Sequence, residues 1–168
     1  MKSNKPLIAT IAIVAVGIGW YAFRPELIFV NQSVHESLPG ATAQSASMKE
    51  KAPTSLEMGN FRSIAHETKG TATVYQLSEG KRVLRLTNFK TSNGPDVHVF
   101  LVAAKDAPDN DTVKSSGYVD LGSIKGNEGD QNYDIPADLD LKKYQSATIW
   151  CNRFKVNFGT ASLTGQGS

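Results

Sequence analysis

The fold class is decided by one stretch of the chain, Asn93-Gly94-Pro95-Asp96-Val97-His98-Val99-Phe100-Leu101. Its Asn-Gly-Pro start is typical of a tight turn. Side chains of a strand alternate between two faces, so Val97, Val99 and Leu101 share one face and His98 and Phe100 share the other. Apolar side chains on both faces predict a central strand that is covered on each side.

A strand-like pattern continues over residues 59–168. Short runs rich in Val, Ile, Thr, Tyr and Phe are separated there by Gly, Pro, Asn and Asp. No amphipathic helical period interrupts them. The pattern predicts an all-β domain, an antiparallel β-sandwich or barrel. The predicted strands are 70–77, 81–87, 97–104, 117–121, 131–135, 146–151 and 154–158.

The N-terminal part predicts a membrane anchor. Residues 7–23 carry no charge, and a helix of that length would be about 26 Å long, near the lower limit for crossing a hydrocarbon core. A cleaved signal peptide needs small residues after its apolar core, whereas this one ends in Trp20-Tyr21-Ala22-Phe23. We therefore expect an uncleaved, single-pass helix in the lipid of the cell membrane.

The positive charges predict the orientation of this anchor. Lys2 and Lys5 precede the apolar stretch, which places residues 1–6 in the cytoplasm and the β domain outside it. Residues 24–58 are rich in Ser, Ala, Thr and Pro without a sustained period, and they are predicted to form a flexible spacer.

Composition excludes several classes of function. Lys and Arg number 18 against 16 Asp and Glu, without a basic run, so no nucleic-acid partner is expected. The single cysteine, Cys151, rules out an internal disulfide and covalent haem attachment, and no His follows it to complete a blue-copper site. Residues 121–136 contain three glycines but no following helix, so they are predicted to be a hairpin connection rather than a nucleotide motif. No cofactor or metal is assigned.

Asp96 and His98 form the first candidate site. They are two residues apart on one strand face, where a carboxylate could fix the imidazole tautomer in a proton relay or ligand pair. The alternative is structural: Asp96 closes the turn and His98 donates to a backbone carbonyl.

Cys151 is the second candidate. The sequence allows two strand phases, which differ in whether Cys151 faces solvent or the core. If the last strand runs unbroken, Cys151 shares an exposed face with Arg153 and Lys155, whose charges favour the reactive thiolate. If Asn152 and Arg153 form a bulge or turn, Cys151 points inward and is an inert core residue.

These motifs together resemble the DM-thirteen domain, the extracellular module of Skeletor-type proteins that also occurs beside DOMON domains. The resemblance covers about residues 59–164. It rests on Gly94-Pro95-Asp96-x-His98, Leu121-Gly122, Gly129-Asp130 through Pro136, and Trp150-Cys151 with Phe158-Gly159.

The resemblance implies a DOMON-like β-sandwich with a role in extracytoplasmic electron transfer, in which the cysteine is the redox group. On this basis Cys151 is the leading candidate, with Arg153 tuning the thiolate and His98 and Asp96 as second-site candidates. With no second cysteine, electrons would come from another redox protein, so an accessory module is expected rather than a stand-alone enzyme. The alternative is a non-catalytic binding or envelope-organising module.

Overall fold

The computed structural model describes residues 5–23, 30–40, 52–78 and 80–165. Within these residues the chain forms two helices and eleven strands. The helices are α1 (Lys5–Phe23) and α2 (Asn110–Ser116). The strands are β1 (Ser33–His35), β2 (Thr54–Asn60), β3 (Arg62–Ser63), β4 (Thr68–Gln76), β5 (Arg82–Thr91), β6 (Val97–Val102), β7 (Tyr118–Ser123), β8 (Glu128–Ile135), β9 (Ser146–Cys151), β10 (Val156–Ser162) and β11 (Thr164–Gly165).

The strands form two sheets. The first has the order β1-β8-β5-β4-β2-β11 and the second the order β3-β10-β9-β6-β7. All pairs are antiparallel except β1 with β8. The sheets share one apolar core, which takes Leu84 and Leu86 from the first sheet and Val99 and Ile149 from the second. The predicted all-β sandwich is confirmed at this level.

Strand β6 is central, as its two apolar faces predict. It lies between β9 and β7 in the second sheet. Val97, Val99 and Leu101 point into the core between the sheets. Phe100 and Val102 point outward and pack with Val113 of α2 in a second apolar cluster. Both faces are therefore covered.

Helix α2 contradicts the expectation that no helix interrupts the strands. Asp109 caps its start, because Thr112 N donates to Asp109 Oδ1 at 2.7 Å. The helix has seven residues and buries only Val113. Because so short a helix has only one buried apolar residue, its sequence shows no hydrophobic period of 3.6 residues.

The predicted spacer also needs correction. Residues 30–40, which we call the strap, run along the edge of the first sheet, where β1 pairs in parallel with β8. Strand β2 pairs with β4, so the folded domain begins well before residue 59. Residues 24–29 and 41–51 of the predicted spacer lie outside the described residues.

Side chains fix the strap to the sheet through five residues that we call the strap network. Lys125 Nζ donates to Glu36 Oε1 at 2.7 Å, and Asn132 N donates to Glu36 Oε2 at 2.8 Å. Arg85 Nη2 donates to Asp130 Oδ2 at 2.7 Å, and its Nη1 donates to the carbonyl of Glu36 at 2.9 Å. The bonds of Glu36 with Lys125 and Asn132 join residues 89 to 96 positions apart, which explains why the sequence did not reveal the strap.

The glycine-rich segment 121–136 is not a hairpin connection. Its first residues belong to β7 in the second sheet, and its last residues form β8 in the first. The segment therefore crosses from one sheet to the other.

Helix α1 ends at Phe23, as the apolar stretch predicts, and begins two residues earlier than predicted, at Lys5. Its described side chains, residues 10–21, are exposed except for half-buried Gly19. In the described part of the chain, no helix combines the length and apolarity needed to cross a bilayer. The transmembrane role of α1 therefore stays a prediction.

Candidate functional site

The turn before β6 is tightly packed at Gly94. A Cβ atom at this position would lie 2.6 Å from Val97 Cγ2 and 3.2 Å from Phe158 Cζ. Asn152 N donates to the carbonyl of Asp96 at 2.8 Å, which ties this turn to the one between β9 and β10. Asp96 and His98 are thus held on a rigid part of the second sheet.

His98 lies between two carboxylates on the outer face of that sheet. Its Nδ1 is 2.9 Å from Asp120 Oδ2, and its Nε2 is 3.1 Å from Asp96 Oδ1 and 3.2 Å from Ser123 Oγ. We call Asp96, His98, Asp120 and Ser123 the histidine clamp. The side chain of His98 is 17% exposed, whereas those of Asp96 and Asp120 are 44% and 37% exposed.

The clamp restricts the chemistry of the ring. A neutral imidazole has one N–H, whereas an imidazolium has two, and ionised carboxylates only accept. Both carboxylate bonds therefore form together only when the ring is doubly protonated. The Ser123–His98–Asp120 order resembles a catalytic triad, but Asp96 can accept only from a protonated Nε2, which then has no lone pair to take the serine proton. This geometry suits an imidazole that holds or exchanges protons rather than one that activates a nucleophile.

Sequence reasoning found two members of the clamp and missed Asp120 and Ser123. They lie on β7, where Ser123 pairs with His98 and Asp120 pairs with Phe100. Only the register between β6 and β7 brings Asp120 and Ser123 close to the imidazole ring of His98. Asp120 Oδ1 also accepts from Gly122 N at 2.8 Å, which fixes the carboxylate.

A polar cleft of about 300 Å³ adjoins the clamp. Asp96 and Ser123 line it together with the turn at Gly94 and the strap residue Gln32. Asn127 holds the strap at this wall, because Gln32 N donates to Asn127 Oδ1 at 2.7 Å. The strap therefore forms part of the wall of this cleft.

Cys151 lies in the core, so the second of its two phases is the one observed. Residues 152–155 form a turn, in which Lys155 has a φ of 55°. Cys151 pairs with Val97 and Val156, and its side chain is 0% exposed in the core between the sheets. Arg153 is exposed on the turn.

The structure separates the two candidates. Cys151 pairs with Val97 on the inner face, whereas His98 pairs with Trp150 and points outward. His66 packs against Phe158 with the ring centroids 3.9 Å apart and the planes tilted by 41°. The described residues contain no group of three His, Cys, Asp or Glu side chains that could hold a metal ion. Cys151 and His98 therefore do not form one site.

Comparisons with known proteins agree with the motifs around this site. The family model for "Electron transfer DM13" matches residues 60–163, which is more than half of the chain. No curated protein and no solved structure matches. The matched region includes every residue of the histidine clamp and Cys151. This chain belongs to the DM13 electron-transfer family.

Proposed function

We propose that this chain is a membrane-tethered redox module in which Cys151 exchanges single electrons with a partner redox protein. Membership of an electron-transfer family supports the redox role. The observation that carries the mechanism is the burial of Cys151, whose side chain is 0% exposed. Thiol–disulfide exchange needs direct attack on the sulfur, so a partner thiol cannot reach it in the folded state. Electron transfer needs no such contact.

The proposed step balances as a one-electron oxidation. The Cys151 thiol gives one electron to an oxidised one-electron centre of the partner and its proton to solvent, which leaves a thiyl radical. Reduction returns one electron and one proton. Because Cys151 is fully buried, release of its proton to solvent requires a transient opening of the domain.

The test is controlled one-electron oxidation of the full chain in detergent. A photogenerated ruthenium(III) polypyridyl complex serves as oxidant, and freeze-quench electron paramagnetic resonance detects the thiyl radical without a reagent that has to reach the buried sulfur. We expect a reversible signal from the native chain and none from Cys151→Ser or Cys151→Ala. The alanine variant controls for folding, because a serine hydroxyl without a partner in the core costs about 1–3 kcal/mol. An unchanged signal in a folded alanine variant would refute the proposal.

Alkylation separates electron transfer from thiol exchange. We expect iodoacetamide to label Cys151 in the urea-unfolded chain and not in the native chain over the same time. Rapid native labelling with a lowered apparent pKa would instead indicate an exposed, activated thiolate. That result would contradict the buried position on which the mechanism rests.

The second candidate function is a non-catalytic binding module, and the histidine clamp beside the polar cleft favours it. Here Cys151 is only a core residue. Binding of a partner would then survive Cys151→Ala and weaken with Asp96→Asn, which removes a charge from the wall of the cleft. The redox proposal expects the opposite order of effects on electron exchange.

The tether is part of the proposal and rests on the sequence of residues 7–23. Its support is the exposure of the apolar side chains Ile11, Ile13 and Val16, which are 61%, 73% and 69% exposed and are not covered by the part of the chain that the structure describes. A lipid bilayer would cover them, with residues 1–6 in the cytoplasm and the β domain outside. We expect the chain to stay with membranes at alkaline pH and its domain to be cleaved by protease added outside intact cells. Release by alkali, or protection from that protease, would refute the tether or its orientation.

A further inference from the structure

Three aromatic rings form a row on the outer face of the second sheet. Phe100 of β6 is the middle ring. Its centroid lies 4.3 Å from that of Tyr118 on β7, with the ring planes 3° apart. On the other side it lies 6.0 Å from Trp150 on β9, with an interplanar angle of 26°. The sheet register thus builds a continuous stack across three neighbouring strands.

The row runs from the surface into the interior. Tyr118 is 46% exposed, whereas Phe100 and Trp150 are 1% and 2% exposed. Val113 of α2 and Ala107 pack over the two buried rings. Strand β7 is the edge of its sheet, so a partner can approach Tyr118 from the side. One end of the row is open to another protein and the rest is shielded from water.

The inner end of the row reaches the candidate redox group. Trp150 and Cys151 are consecutive residues of β9 and point to opposite faces of the sheet. The ring of Trp150 lies in the outer cluster, and the thiol of Cys151 lies in the core. One peptide unit therefore connects the aromatic row with the buried sulfur.

We propose that Tyr118, Phe100 and Trp150 are the electron route of this domain, with Tyr118 as the contact for a protein that carries a one-electron oxidant. The proposal rests on the proposed redox role of Cys151. Tyrosine and tryptophan can each lose one electron, whereas Phe100 acts as a bridge that shortens the gap between them. Electrons pass from Tyr118 to the partner. Tyr118 is then reduced by Trp150, and Trp150 by Cys151.

The steps balance in electrons and protons. Tyr118 gives one electron to the partner and its phenol proton to water. The tyrosyl radical then takes one electron from Trp150 through Phe100 and one proton from water. The Trp150 radical cation takes one electron from Cys151, whose proton goes to solvent. The net change is the one-electron oxidation of Cys151 described above.

Flash oxidation of the full chain by a photogenerated ruthenium(III) complex tests this route. Transient absorption follows the tyrosyl and tryptophan radicals, and freeze-quench electron paramagnetic resonance follows the thiyl radical. Trp20 and Tyr21 on α1 are exposed and are replaced by Phe in every sample, so that the remaining tryptophan signal belongs to Trp150 and the exposed tyrosine on α1 does not contribute to the tyrosyl signal. Circular dichroism checks that each variant is folded.

Two variants test the two ends of the row by separate readouts. In Trp150→Phe the radical has lost its electron donor, so it should persist about tenfold longer, equivalent to about 1.4 kcal/mol in the barrier to its decay. In Tyr118→Phe the stack is kept but the exposed donor is absent, so Cys151 oxidation should slow by a similar factor. Tyr144→Phe, at a half-buried tyrosine outside the row, is the matched control and should change neither rate.

The outcomes separate the route from the redox role. Unchanged Cys151 oxidation in Tyr118→Phe, with the signal still lost in Cys151→Ala, would overturn the route and leave the proposed function standing. A Cys151→Ala variant that keeps the full response would refute the proposed function. An unchanged tyrosyl lifetime in Trp150→Phe would independently refute the relay, because Tyr118 and Trp150 would not exchange electrons.

Discussion

The strap network and the histidine clamp use neighbouring residues of one connecting segment, Lys125 and Ser123, yet they balance charge differently. In the strap network two carboxylates, Glu36 and Asp130, meet two permanent cations. In the clamp two carboxylates share the single imidazole of His98. Even with the ring doubly protonated, the clamp keeps a net negative charge.

This difference indicates two kinds of polar cluster. A balanced cluster stabilises the fold, and its removal should affect stability alone. A cluster with an excess of one sign includes repulsion between its carboxylates, and departures of this kind are typical of functional sites. We therefore expect changes in the strap network to loosen the domain, and changes in the clamp to alter its response to salt.

The largest expected effect comes from Gly129, on which the strap lies. A Cβ atom there would be 1.9 Å from the carbonyl oxygen of Val34, and the residue has a φ of 99°. We expect Gly129→Ala to displace β1 and to lower the free energy of unfolding by about 3 kcal/mol, from strain and lost strap contacts. Urea unfolding and hydrogen exchange at residues 33–36 measure both effects.

Gly80→Ala is the matched control for this substitution. Gly80 has a φ of 78° but nothing within 4 Å of an added Cβ, so only the backbone strain is reproduced. Gly80→Ala should lower the free energy of unfolding by about 1 kcal/mol and leave hydrogen exchange in the strap unchanged. Equal losses in the two variants would mean that strap docking contributes little to the domain.

The next effect is expected at His98. His98→Ala leaves Asp96 and Asp120 without the group between them, and we expect a loss of about 2 kcal/mol at low salt. Added salt screens the remaining repulsion, so part of this loss should be recovered. His98→Gln keeps one amide donor and should lie between the native chain and His98→Ala. Salt-independent loss in urea unfolding would contradict a clamp dominated by charge.

A structural feature could be predicted from the sequence when residues close to it in the chain determine it. Strand β9 was predicted with its observed bounds and β6 with its observed start, because alternation and turn residues are local signals. The strap was missed because the carboxylate of Glu36 finds its partners at Lys125 and Asn132, far along the chain. Asp120 and Ser123 required the register of β7.

The phase of Cys151 shows the same limit within one short segment. The residues that follow it allowed either a strand or a turn, and the sequence left both open. The turn at 152–155, with Lys155 in the left-handed region, reversed the alternation and placed the thiol in the core. A turn formed by Asn and Arg without glycine carries a weak signal.

The smallest effect expected is a pH-dependent one in the strap network. Burial alone would raise the pKa of Glu36, but hydrogen bonds from Lys125 and Asn132 together with the charge of Lys125 outweigh it and lower that pKa. A lowered pKa in the folded state adds stability above the unfolded value, and this contribution is lost as the pH falls through the folded value. Glu36 therefore stabilises the domain near neutral pH and not in acid.

Glu36→Gln should accordingly lower the free energy of unfolding by about 1 kcal/mol at neutral pH, since the pair is partly exposed to solvent. The gap between the native chain and the variant should close as the pH falls below 4.5, the ordinary value for a glutamate. Glu67→Gln removes an exposed surface pair with Lys69 and should show no such closing gap. A constant gap at all pH values would mean that Glu36 holds the strap through neutral hydrogen bonds. The charge balance that distinguishes the strap network from the clamp would then not be the source of its stability.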